Sequence, residues 1–309
     1  MSDSREAADK SWLPAYLTLG VIWGCSFIFI KMGDKFLTPA GVAFARTALG
    51  AITLNIVLLA KKKKLLLDKS TLFTLWIVSL LLNSIPGFLF ALGEQRVTSV
   101  VAGIINACTP LTTILVTLIA FRKEKTKGYQ YVGIALGALG VLTLLGVWRG
   151  IGHNSLLGVL ALLGAVLCYG CSFPIIRTYI TPKKLDPERL ASTQLTCAAI
   201  TMLPFFLYHG VTSYHPRTSW LLGVAALGVL GSGFAYIWNF TIINTAGAAI
   251  GSSVTYLTPV VAVIVGWIFL AEKVSWNQPI GGLIVLIGAA ISQNRLAVIS
   301  PGLNWEKVK

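Results

Sequence analysis

The side chains best placed to do chemistry in this chain are few, and their types suit holding a small molecule reversibly. Arg46 is the one basic residue well inside an apolar run, and Gln194 stands at a matching place 148 residues later. An arginine so placed can grip a carboxylate through two parallel N–H bonds. Asn83, Asn106 and Asn239 lie equally deep, and each is costly against hydrocarbon, so each is expected to face another helix or water. Trp23 and Tyr169 occupy equivalent mid-run positions, offset by 146, and with Tyr236, Trp238 and Tyr256 offer aromatic walls for an amphipathic pocket. Thr109-Pro110 and Thr258-Pro259 form a second matched pair, offset by 149. A proline inside a helix removes one backbone hydrogen bond and clashes with the preceding turn, so Pro110 and Pro259 predict helix breaks. In lipid the freed carbonyls need partners, and Thr109, Thr258, Asn106 and Thr255 are close enough to provide them. Glu94 is a candidate for proton coupling, with an ion pair to Arg96 as its plainer role.

Bond-breaking chemistry finds little support in these residues. His153, His209 and His215 fall in or beside expected loops and show no metal-ligand spacing. Cys168 and Cys171 form a C-x-x-C with no second pair, and acids are too sparse for a paired-carboxylate site. No Gly-rich phosphate loop is present, so the expectation is no catalytic residue, no metal and no cofactor.

The elements that must carry these residues are membrane spans. Hydrophobic residues make up 55% of 309 residues, charged residues only 12%, and the mean hydropathy is +0.78, which is too little charge to cover a soluble surface. A crossing helix needs about 20 apolar residues. That window predicts spans at about 14–32, 40–60, 71–93, 98–121, 129–148, 156–177, 189–208, 217–240, 247–270 and 277–295. A porin-like barrel would show short alternating segments instead. The net charge of +14 is explained by sidedness rather than by nucleic acid. With the N-terminus cytoplasmic, 18 of the 25 Lys and Arg fall on the cytoplasmic side, including the runs at 61–64 and 122–127, and only 6 on the other. Both termini are therefore expected in the cytoplasm, and the basic runs are also placed to touch anionic lipid heads. No removable signal peptide is evident ahead of the first span.

The ten spans repeat. Thr109-Pro110, Glu124-Lys125, Gly133 and Gly140 recur as Thr258-Pro259, Glu272-Lys273, Gly281 and Gly288, and Trp23-Gly24-Cys25-Ser26-Phe27 recurs as Tyr169-Gly170-Cys171-Ser172-Phe173. The chain thus divides into a five-span repeat over 1–148 and a second over 149–309. A repeat with an odd number of spans enters the membrane from the other side the second time, so the two copies are inverted, an arrangement suited to alternating access. Gly20-x-x-x-Gly24, Gly133-x-x-x-Gly137 and Gly247-x-x-x-Gly251 predict close helix contacts.

This pattern resembles the EamA family of the drug/metabolite transporter superfamily. The resemblance rests on the two five-span repeats, the early Trp-Gly, Gly93-Glu94-Gln95, and the segments Asn106-x-x-x-Pro110 and Tyr256-x-x-Pro259, each followed by Glu-Lys and a Gly-rich span. It implies an all-α membrane permease for small metabolites, often an exporter of amino acids or related compounds. The expected partners are a small-molecule substrate and membrane lipids, with no nucleic acid, in a monomer or homodimer at the plasma (inner) membrane. A membrane-embedded lipid-processing enzyme and a non-transporting scaffold are the rival readings. The enzyme would need clustered His, Asp and Glu at a membrane face, and the scaffold would not need matched proline breaks.

Overall fold

The computed structural model describes residues 12–65, 68–120, 128–146, 155–213, 215–246, 251, 253–272 and 274–292. The Glu124-Lys125 pair, Lys273, Gly247, His153, the basic run at 122–127, nearly all of the join at 149–155 and both terminal tails lie outside the described residues. The described residues are helical throughout, apart from turns and a single β-bridge between Leu37 and Val211. Seven helices are long and apolar enough to cross a membrane: α1 Leu13–Gly33, α2 Pro39–Ala60, α3 Lys69–Glu94, α4 Ser99–Ala120, α6 Leu156–Lys183, α7 Pro187–His209 and α8 Thr218–Thr245. Three shorter apolar helices complete the ten, α5 Gly128–Leu145, α9 Val254–Leu270 and α10 Asn277–Ser292.

Local chemistry sets the helix starts. Thr38 and Asp68 accept the Gly41 and Thr71 amides at 3.1 and 2.9 Å, and Pro39 and Pro187 occupy the first helical turn, where no amide donor is missed. The helices are apolar all round, as a bilayer requires. Leu59, Ile200, Trp267 and Phe269 are the kind of side chain left on the outside.

The packing carries the inverted symmetry. α2 packs on α7, α4 on α9 and α5 on α10, so each of these helices meets its own counterpart. The remaining contacts come in matched sets: α3 on α6 mirrors α8 on α1, and α6 on α4 mirrors α1 on α9. Glycines permit the closest of these approaches. A Cβ on Gly20 would lie 2.6 Å from the Leu257 Cδ1, and one on Gly24 would clash with the Val261 Cβ and lie 2.7 Å from its Cγ1, so α1 can press onto the start of α9 only with both side chains absent. In α5 and α10 the approach is backbone to backbone. A Cβ on Gly140 would lie 2.6 Å from the Val285 amide, and one on Gly288 would lie 2.6 Å from that of Gly137.

Loops tie the two faces. On the lysine-rich face, Lys63 meets Asp186 at 3.4 Å and Glu188 at 3.1 Å, Lys61 also pairs with Glu188, and Arg189 donates to the Lys64 carbonyl at 2.8 Å. These pairs join the two repeats but are exposed enough to contribute little each. On the opposite face Glu272 does more. Its carboxylate accepts the Ser99 amide at 2.9 Å, the Ser99 hydroxyl at 2.9 Å and the Val100 amide at 3.1 Å, satisfying the open N-terminus of α4 from the other repeat.

Candidate functional site

Both prolines stand at breaks in their helices, and the breaks are satisfied in the same way. α4 is interrupted at Ala107 and Cys108, and α9 opens with a 3-10 turn at Val254–Tyr256 before Thr258. Pro110 and Pro259 leave the carbonyls four residues back without an amide donor. The Thr109 hydroxyl donates to the Asn106 carbonyl at 2.7 Å, and the Thr258 hydroxyl donates to the Thr255 carbonyl at 2.8 Å. The breaks meet across the symmetry axis, where the Asn106 amide donates to the Thr258 hydroxyl at 3.2 Å.

A second matched pair of irregularities has no signal in the residue pattern. α3 widens to a π-helix at Leu80–Ser84, and α8 does the same at Val229–Phe234. Their first residues are 149 apart, the offset of the proline breaks. The carbonyls of Leu82 and Gly231, also 149 apart, each accept a hydrogen bond from an aromatic side chain of another helix. Tyr236 donates its hydroxyl to Leu82 at 3.0 Å, and Trp23 donates its indole N–H to Gly231 at 3.2 Å. π-turns recur at functional positions because they open the carbonyl ladder to side chains.

The polar pairs follow the same symmetry. Arg46 donates through Nε to the Ser232 hydroxyl at 3.2 Å, and the Gln194 amide donates to the Asn83 side-chain oxygen. Arg46 and Gln194 are equivalent, as are Ser232 and Asn83, so each repeat reaches into the π-turn of the other.

These elements enclose a cavity with about 540 Å³ of space between its atoms, mouth included. Trp23, Arg46, Asn106, Thr109, Tyr169 and Thr255 line it, together with Ser26, Phe27, Ile30, Leu82, Phe90, Phe173 and Tyr236. The aromatic rings are locked to one another: Trp23 meets Tyr236 edge-on at 6.1 Å, and Phe90 stacks on Tyr169 at 5.8 Å. Arg46 is the single charged residue of the lining, and it is only 7% exposed.

The other sequence candidates sit beside the cavity rather than on its wall. Gln194 and Asn83 share one hydrogen bond behind it, and Thr258 holds Asn106. Trp238 packs on Phe234 near Leu19 and Val254, while Tyr256 lies half-buried at the edge of the main core. Asn239 is fully buried one helical turn from Ala235, outside the lining. Glu94 is fully buried at the end of α3, and Lys31 is the opposing charge that acts on it most. Apolar wall residues such as Phe27, Phe90 and Phe173 escape a sequence reading because nothing distinguishes them from core. Of the aromatics the sequence offers, Trp23, Tyr169 and Tyr236 reach the wall.

Comparisons with known proteins agree with this geometry. The model of the EamA-like transporter family matches residues 10–146 and again 156–293. The uncharacterized transporter YoaV of Bacillus subtilis is 25% identical over 274 residues, covering 88% of this chain and 93% of YoaV. The uncharacterized inner membrane transporter YedA of Escherichia coli K12 is 26% identical over 254 residues, covering 82% of this chain and 80% of YedA. An uncharacterized transporter of Archaeoglobus fulgidus is 23% identical over 282 residues, with coverage of 91% and 98%. A solved crystal structure, 19% identical, shares the fold with a TM-score of 0.64 over 94% of this chain and 99% of its own. With the family model matched twice over almost its whole length, and ten apolar helices in two inverted sets of five, this chain belongs to the EamA-like transporter family, a family of membrane transporters and not of enzymes.

Proposed function

We propose that this protein carries a small amphipathic metabolite bearing a carboxylate, an amino acid or a related compound, outward across the inner membrane by alternating access. The observation that carries the reading is the cavity on the symmetry axis, walled by interlocked aromatic rings and holding one buried cation, Arg46. Rings of this kind take an apolar side chain, and an arginine in a site of low dielectric takes a carboxylate. The helices that shape the cavity are broken or widened at matched places in both repeats. One repeat can therefore rock against the other about a fixed site. Each repeat, residues 1–148 and 149–309, serves as one of the two rocking units. The relative YedA is named for the inner membrane, and the lysine-rich face fits the cytoplasmic side there, with both termini on it.

Purified protein in liposomes should accelerate counterflow of at least one labelled amino acid or related carboxylate from a broad panel. Loading only the compartment that faces the lysine-rich side should then give faster efflux than the reverse. No flux above empty liposomes across the panel would overturn the reading.

Orientation is tested separately. In a cysteine-free background, a membrane-impermeant maleimide applied to intact cells should label Lys35→Cys and leave Lys63→Cys unlabelled. The opposite pattern, or equal labelling, would place the lysine-rich face outside.

A further inference from the structure

Beyond the cavity, on the face opposite the lysine-rich one, two carboxyls gather around Lys31. Glu94 ends α3 one turn beyond the cavity residue Phe90, is 0% exposed, and among the described residues neither of its carboxyl oxygens receives a hydrogen bond. Lys31, which follows the cavity residue Ile30, turns its ammonium to the backbone instead. It donates to the Glu94 carbonyl and, at 2.7 Å, to that of Val97. Asp34 lies on the next turn of the chain, beside the Gln95 side chain and within the field of Lys31 and Lys35. Glu272 is also within reach of Glu94, but its charge is already met by the amides opening α4. The Arg46 guanidinium acts on Glu94 from inside the cavity, and the outer half of α6, packed against α3, carries no charged side chain. Both carboxyls therefore share Lys31, which gives two of its donors to backbone carbonyls, while Lys35 adds its field at Asp34 and Arg46 at Glu94. An ionised carboxylate without donors in a dry site is the expensive state, whereas a neutral carboxyl is not.

We propose that Glu94, Asp34 and Lys31 form a proton-binding site at the end of the cavity, holding one proton while the face opposite the lysine-rich one is closed. Opening that face admits water, which solvates the carboxylates and lets the proton leave; closing it takes a proton up again. Asp34, just beyond the end of α1, fits this role, because burial pushes its carboxyl up to about 7 against the pull of Lys31, Gln95 and Lys35. The site stands on the burial of Glu94 and the Lys31 contacts, while its use in transport rests on the function proposed above.

Infrared spectroscopy of the reconstituted protein at neutral pH tests the site without a substrate. The expected result is a protonated-carboxyl band that is present in sodium and in sodium-free buffer and lost in Glu94→Gln. Asp34→Asn should weaken the band at neutral pH severalfold, because Lys31 then serves Glu94 alone. Detergent melting curves establish that both variants are folded, and Asp34→Asn keeps the test open should Glu94→Gln not fold. A band unchanged in the folded variants, no band in the wild type, or a band that appears only when sodium is withdrawn would overturn the proposal. A normal band in a protein that moves nothing would retire the transport reading and leave the proton site standing.

Discussion

Replacing Arg46 with alanine should lower the flux of a carboxylate-bearing substrate by roughly 10- to 100-fold, measured as initial counterflow in proteoliposomes at subsaturating substrate. A charge-assisted hydrogen bond is worth about 1.5–3 kcal/mol, and each 1.4 kcal/mol is about tenfold. No acid lines the cavity, the nearby Glu94 keeps Lys31, and among the described residues the hydrogen bond lost is the one to the Ser232 hydroxyl. Membrane insertion and the melting temperature should therefore stay near wild type. Arg46→Lys should recover part of the flux, since it restores the charge but not the planar fork. Undiminished flux in Arg46→Ala would remove this residue from the site and with it the assignment of a carboxylate substrate.

The second large effect is on the fold. A leucine at Gly281 should destabilise the protein by about 3 kcal/mol or more, at the upper end of what overpacking costs. A Cβ at Gly281 would already lie 2.6 Å from the Leu144 Cα and 2.7 Å from the Gly140 carbonyl oxygen. Both are backbone atoms, so no rotamer change relieves the clash, and α10 must move off α5. Even Gly281→Ala should lower the melting temperature in detergent measurably. Gly128 is the control, because a Cβ there meets nothing within 4 Å. Equal melting of Gly281→Ala and Gly128→Ala would show that the close approach is unimportant to stability.

The sequence carried the features that leave a residue-type signature. A Thr-Pro inside an apolar run is a helix break with its own hydrogen-bond donor attached, so the satisfied carbonyls of Asn106 and Thr255 were legible in advance. Arg46 was legible because a charge in hydrocarbon has few bland explanations. The stripe of Gly133, Gly137 and Gly140 announced a close contact, though not that its partner would be the matching stripe of α10. What stayed hidden depends on backbone hydrogen bonding or on the partner helix. A π-turn at Leu80–Ser84 uses residues that any α-helix accepts. Choosing Trp23 over Trp238 for the wall requires knowing which face of each helix meets the axis. Glu272 reads as a loop acid until α4 of the other repeat is brought to it.

The paired π-turns also set where the two halves of the site differ. A π-turn holds one more residue than the α-turn it interrupts, so it frees backbone and side chains to face a neighbouring helix. At Leu80–Ser84 and Val229–Phe234 it offers Asn83 and Ser232, at matching places, to the opposite repeat. Ser232 meets Arg46 where Asn83 meets Gln194, so one backbone device steadies a cation in one half and a neutral amide in the other. Two halves alike in backbone thus enclose a lopsided electric field, and a charged cargo would feel a handedness that the helices themselves lack.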